Sequence, residues 1–183
     1  MFIIAAPSGA GKTTLCREVL KRFADMLYSI SYTTRPLRNK EQEGVDYHFI
    51  TAGDFENGIA TGKWAEWALV HGNYYGTSVN FLNNGLADGR DILLDIDVQG
   101  TRQIIEHYPD SVAIFILPPS LEVLEQRLIA RGTDSTENIS VRLQNAKKEM
   151  AHQDLFHHTI VNDELSKAIS ELISIIERYR RQP

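Results

Sequence analysis

"FIIAAPSGAGKTTLCREVLKRFA", residues 2–24, carries three signals in one stretch. The apolar run at its start predicts a short buried strand. Leu15, Val19, Leu20 and Phe23 then recur at helical spacing, so "KTTLCREVLKRFA" predicts a helix. Between them "APSGAGKTT" (6–14) is a glycine-rich turn. Glycines let the backbone curl so that consecutive N–H groups point inward at an anion, and the helix N-terminus adds partial positive charge. Ala6, Pro7, Ser8, Gly9, Ala10, Gly11, Lys12, Thr13 and Thr14 thus form a candidate nucleotide-phosphate loop. Lys12 would reach the β- and γ-phosphates, and Thr13 would offer its hydroxyl to Mg2+. The usual spacing asks for glycine where this chain has Ala6, so the match rests on G-x-G-K-T in its context. The plainer alternative is a glycine-rich turn that only caps a helix. A strand before, a helix after and the Lys-Thr pair favour the nucleotide.

Working outward, "DILLDID" (91–97), "VAIFIL" (112–117) and "TIVN" (159–162) are further short apolar strands. Helical segments separate them: "QGTRQIIEHY", then "SLEVLEQRLIARG" with Ser120 as N-cap and Gly132 at its end, then "ELSKAISELISIIERYRR". Strands alternating with helices imply an α/β fold with a parallel sheet covered by helices on both faces. Residues 33–77 break the pattern, being rich in Thr, Arg, Gly, Tyr and Trp. "GKWAEWALVHGNYYG" alternates and turns at Gly72-Asn73, which predicts a hairpin. The expected division is therefore a core of residues 1–32 and 78–183 with an inserted, small, mainly antiparallel subdomain at 33–77. "RGTDSTEN" (131–138) reads as a short irregular patch between two helices.

Bulk properties narrow the function. With 183 residues, 43% of them hydrophobic, the chain is long enough to bury a full core. A net charge of −5 argues against general nucleic-acid binding, so any anion site must be a local arrangement of Arg, Lys and backbone N–H. A single cysteine, Cys16, excludes an intramolecular disulfide and fits a reducing cytoplasm. The run after Met1 is too short for a secretory signal, and no window reaches the length of a membrane span. The six histidines show no metal-ligand spacing.

"SYTTRPLR" (31–38) raises a second anion. Arg35 and Arg38 can clamp a phosphate, with Pro36 stiffening the link, and Tyr47 and Tyr75 can each add a hydroxyl. Taken singly, these residues are surface charges and hairpin packing; together they make a cationic cluster inside the insertion. Asp95, ending "ILLD", can hold Mg2+ or cap the next helix, and Asp97 projects to the same side if the strand continues.

"APSGAGK", "SYTTRPLR…EGVDYHF", "EWA…GNYYGTS", "LDIDVQG", "ILPPS", "RLIARGTDS" and "IVND" stand in the order and spacing of the guanylate kinases, so nearly the whole chain resembles that family. The resemblance implies phosphoryl transfer from ATP, with Mg2+, to GMP or dGMP, and makes Ala6 an accepted variant. By similarity Arg35, Arg38, Tyr47 and Tyr75 would hold the monophosphate. Ser31, Glu66, Thr77 and Asp97, with Asp95 beside them, would read the base. Arg127, Arg131 and Arg142 would steady the phosphoryl group in flight, 127–142 being a lid region. The loop at Asn162 would border the adenine of ATP. The chemistry fits a guanine reader: guanine offers N1–H and an amine as donors, and ionised Glu66 and Asp97 only accept. Nucleic acid and membrane are not expected partners, and the oligomeric state is left open. Rival readings are a non-catalytic guanylate-kinase-like binding module, a kinase for another monophosphate, and a nucleotide hydrolase, which leaves 33–77 without a task.

Overall fold

The computed structural model describes residues 1–181 apart from Lys40, His71, Arg131, Thr133 and Asp134. In chain order the elements are β1 (Phe2–Ala5), α1 (Lys12–Arg22), β2 (Leu27–Ser29), β3 (Tyr32–Thr33), β4 (His48–Phe49), α2 (Ala52–Ala60), β5 (Trp64–Val70), β6 (Asn73–Ser78), α3 (Val79–Ala87), β7 (Ile92–Asp95), α4 (Val98–His107), β8 (Val112–Leu117), α5 (Leu121–Ala130), α6 (Thr136–Met150), β9 (His158–Val161) and α7 (Leu165–Arg180). A short 3-10 turn, Gln153–Leu155, precedes β9. The strands form a five-stranded parallel sheet of order β2-β7-β1-β8-β9 and a four-stranded mixed sheet of order β4-β3-β6-β5. The chain divides into a central unit, Met1 with Asp25–Ser111, and a flanking unit, Phe2–Ala24 with Val112–Pro183.

In the flanking unit β1 pairs with β8, and β8 with β9, all in parallel. Ile3, Ile4, Ile114, Phe115 and Ile116 are fully buried. Such continuous apolar runs are what a strand covered on both faces requires. α1 packs on α7, with Leu15, Val19, Leu172 and Ile176 buried. Arg22 donates to Glu177 at 2.7 Å across the same pair. Leu124 and Leu128 of α5 join Ile139 and Ala146 of α6 in a second apolar cluster. The Ser120 hydroxyl accepts from the Val123 N–H at 3.2 Å, as its N-cap position predicts. Residues 136–138 are not irregular: α6 already begins at Thr136, capped by Ser135, whose hydroxyl accepts from the Asn138 N–H.

In the central unit β2 pairs in parallel with β7. β5 and β6 form the expected antiparallel hairpin, with a register shift between Trp64 and Glu66. The small sheet is mixed, because β3 pairs in parallel with β4. Residues 33–77 also contain a helix that alternation did not suggest, α2. Thr51 caps it, and Phe55 stacks on Trp64 and Tyr74 at centroid distances of 4.4 and 5.0 Å. Among the described residues no helix is long and apolar enough to cross a membrane.

Candidate active site

The phosphate loop lies in the flanking unit. β1 ends at Ala5, and the Ala10 N–H donates to the Pro7 carbonyl at 3.0 Å, closing a turn. Gly9 and Gly11 take φ of 99° and 97°, a left-handed conformation that side chains disfavour. Gly9 also packs on α5, where an added Cβ would meet Leu124 Cδ1 at 2.9 Å. α1 opens on Gly11 with no side-chain cap and no acidic residue in its first turn. α2, α3, α4 and α6 are capped by Thr51, Ser78, Asp97 and Ser135. An uncapped, acid-free N-terminus is suited to an external anion. Lys12 is the first residue of that helix, and Thr13 and Thr14 are exposed in its first turn.

Asn162, buried just after β9, donates its amide to the Ala10 carbonyl at 2.7 Å. A Cβ on Gly11 would lie 2.4 Å from that amide nitrogen. The Asn162 carbonyl in turn accepts from Arg127 Nη2 at 2.9 Å. Arg142 Nη1 donates to the Ser8 hydroxyl at 3.3 Å. So α5 and α6 each bring one guanidinium to the loop. Arg131 lies outside the described residues. A cavity of about 410 Å³ beside the loop is lined by Gly9, Gly11, Thr14, Arg127, Asn162 and Leu165, among others.

The second cluster lies in the central unit. Arg35 is buried, and its Nε donates to the Tyr75 hydroxyl at 3.2 Å. Its guanidinium stands 5.3 Å from the centroid of the Tyr47 ring, and Tyr47 meets Tyr75 edge-on at 5.8 Å. The fork of Arg35 is engaged by Glu41, which accepts from Nη1 at 3.0 Å and Nη2 at 2.8 Å. Glu41 also accepts from the Arg38 N–H at 2.8 Å. These bonds raise the Arg35 pKa and lower that of Glu41. The Arg38 side chain is exposed, so the structure gathers Arg35, Tyr47 and Tyr75 but leaves Arg38 at the rim. Glu41 escaped the sequence reading, although a carboxylate six residues after an arginine in a polar turn is a reasonable fork partner.

The base-reading candidates are also in this unit. Glu66 and Thr77 stand directly opposite in the β5–β6 register, hence on one face. Glu66 is 4% exposed, and its Oε1 accepts from the Thr77 hydroxyl at 2.6 Å. Burial pushes the Glu66 carboxyl up to about 7; Thr77 pulls it down and the charge of Asp97 adds to the rise. Asp97 also has a local task, accepting from the Gly100 N–H at 2.8 Å as N-cap of α4. Ser31 is half-buried beside β3, and its carbonyl accepts from the His48 N–H. Asp95, half-buried, ends β7.

The profile of the guanylate kinase family matches residues 1–179. The guanylate kinase of Syntrophotalea carbinolica is 52% identical over 176 residues, which cover 96% of this chain and 84% of the relative. That of Idiomarina loihiensis is 47% identical over 184 residues, covering 100% and 88%. The crystal structure of guanylate kinase from Anaplasma phagocytophilum is similar with a TM-score of 0.83 at 30% identity, covering 100% of this chain and 86% of that one. The chain belongs to the guanylate kinase family.

Proposed function

We propose that the protein is an ATP:GMP phosphotransferase, moving the γ-phosphoryl group of ATP to GMP and producing GDP and ADP. The observation that carries the acceptor is the buried Glu66 carboxylate, bonded to Thr77 and neighboured by Asp97. Such a group accepts from the N1–H and amine of guanine, while adenine offers no N1–H there. dGMP carries the same base and phosphate and is expected to serve as well.

The flanking unit holds the donor. Backbone N–H groups of the loop between Ser8 and Thr13, that of Ala10 apart, cradle the phosphates, and Lys12 sets its ammonium against the β- and γ-phosphates. Arg127, Arg131 and Arg142 supply positive charge to the group in flight. The central unit holds the acceptor, with Arg35, Arg38, Tyr47 and Tyr75 on its phosphate and Ser31, Glu66, Thr77 and Asp97 on its base. No nucleophile or strong base on the protein is needed, because an oxygen of the GMP phosphate attacks in line. Residues 33–77 act as a subdomain that closes over GMP, and 127–142 as a lid that excludes water. Asn162 holds the loop from beneath as well as bordering adenine.

Thr13, exposed in the first turn of α1, offers a hydroxyl oxygen of the kind Mg2+ takes while keeping water and phosphate oxygens, and Asp95, at the end of β7, offers a carboxylate of the same kind. The ion would neutralise charge on the ATP phosphates. A cytoplasmic, reducing location fits the lone, buried Cys16.

The test is ADP release from Mg-ATP with GMP, dGMP, AMP, UMP and dTMP in turn. Release confined to GMP and dGMP is expected. Release with another monophosphate overturns Glu66 as a guanine reader. No release from folded protein with any acceptor points instead to a binding module.

A further inference from the structure

Glycine is a weak former of helix, yet Gly100 stands in the first turn of α4. Its backbone does not ask for glycine, since it is not among the left-handed positions. What it provides is space. A Cβ there would lie 2.5 Å from Glu66 Oε2 and 3.0 Å from Glu66 Cδ. The carboxylate that reads the base therefore stands where any other residue at position 100 would put a methyl group.

Gln103 lies one turn further along α4. Residues three apart share a helix face, so Asp97, Gly100 and Gln103 form one line. Gln103 Oε1 accepts from the Trp67 N–H at 3.2 Å, and its Nε2 donates to the Trp67 carbonyl at 2.8 Å. β5 is an edge strand of the small sheet. An edge strand lacks a neighbour for its outward N–H and C=O groups. The Gln103 carboxamide takes that neighbour's place at the residue next to Glu66. Glu66 is thus fixed by Thr77 across the hairpin, by Gln103 through the adjacent backbone, and by the gap at Gly100.

We propose that Gly100 and Gln103 are positioning residues for guanine recognition, setting where the Glu66 carboxylate stands and so how strongly GMP is preferred over the same nucleotide lacking the 2-amino group, IMP. The inference rests on Glu66 as the guanine reader. A Cβ at position 100 moves the carboxylate off both the N1–H and the 2-amino group of GMP, whereas IMP has only the N1–H bond to lose, so GMP loses more. Damage to the fold would lower turnover of both acceptors alike.

The experiment measures kcat and KM for GMP and IMP, KM for ATP, and Tm, on the full chain and on Gly100→Ala, Gln103→Leu and Glu66→Ala. Gly100→Ala is expected to lower the GMP-over-IMP ratio of kcat/KM by about tenfold or more, through KM for GMP, with KM for ATP unchanged. Alanine favours helix, but the shift it forces on the buried carboxylate outweighs that gain, so the variant's Tm should fall by a few degrees. Gln103→Leu, close in size but unable to pair, should lower the same ratio by about threefold. Should Gly100→Ala not fold, Gln103→Leu, at a half-buried position of α4, decides alone. The inference is overturned if Glu66→Ala collapses the ratio while both other variants keep it, or if they lose GMP and IMP turnover equally. If Glu66→Ala itself leaves the ratio intact, the reading of Glu66 fails and the inference falls with it.

Discussion

Replacing Glu66 by glutamine should weaken the enzyme and stabilise the free protein, and both effects should grow as pH rises. In the folded chain the Glu66 carboxyl is raised from its ordinary 4.5 to about 7, chiefly by burial. In the unfolded chain it titrates near the ordinary value. Between these pH values the native state binds more protons than the unfolded state, so stability falls as pH rises through the window. A rise from 4.5 to about 7 corresponds to about 3 kcal/mol at about 1.4 kcal/mol for each tenfold change in proton affinity. That cost is absent at pH 4.5 and fully present above pH 7. Glutamine keeps the shape without the charge. Its advantage over the native residue should therefore grow from nothing at pH 4.5 to about 2–3 kcal/mol at pH 8, less what the Thr77 bond loses with an uncharged acceptor. Denaturant melts at several pH values read this directly. For GMP the sign reverses, because guanine's donors need the ionised carboxylate. Below pH 7, kcat/KM for GMP in the native protein should fall about tenfold per pH unit, while in Glu66→Gln it should be low, by about tenfold or more, and nearly flat. A native profile that is flat from pH 6 to 8, or a variant with the native profile, would refute the reasoning.

Other expected outcomes follow from the same geometry. Lys12→Ala should lower kcat by about 10²–10³ while GMP affinity, measured by titration, changes little; normal turnover with lost GMP affinity would contradict the role of Lys12. Glu41→Gln removes the charged acceptor that locks the Arg35 fork, and KM for GMP should rise about tenfold with KM for ATP unaltered, read in steady-state assays. Asn162→Ala leaves the buried Ala10 carbonyl without its 2.7 Å donor. A loss of about 1–3 kcal/mol in ATP binding is expected by calorimetry, with GMP binding intact.

The parallel sheet was legible because β1, β7 and β8 are short apolar runs set between helical spacings, and burial on both faces leaves such runs no other place. The phosphate loop was legible because Gly9, Gly11 and Lys12 are local in sequence. The contents of 33–77 were less so. In α2 only Phe55 and Gly58 are buried, too few to give a helical period, and the helix is held by stacking of Phe55 on Trp64 and Tyr74. β3 and β4 are two residues each, too short to alternate. The start of α6 was hidden by a polar run whose only signal is the Ser135 cap. In the site, types and pairs were readable but the partners that fix them were not. Glu66 and Thr77 were named from the resemblance to the guanylate kinases, with chemistry that fits, whereas Glu41 on Arg35, Asn162 on Ala10 and Gln103 on Trp67 depend on tertiary contact. Asp97 shows one residue serving two levels at once, capping α4 while adding its charge to the surroundings of Glu66.

The central claim is that the protein moves the γ-phosphoryl group of ATP to GMP. A single-turnover reaction with ATP labelled at its γ-phosphorus, in the presence and absence of GMP, tests this most directly. The label should pass to the β-phosphate of GDP, with almost none released as inorganic phosphate and no ATP consumed when GMP is withheld. Label released as inorganic phosphate at the same rate with or without GMP would mean hydrolysis, and would contradict the account.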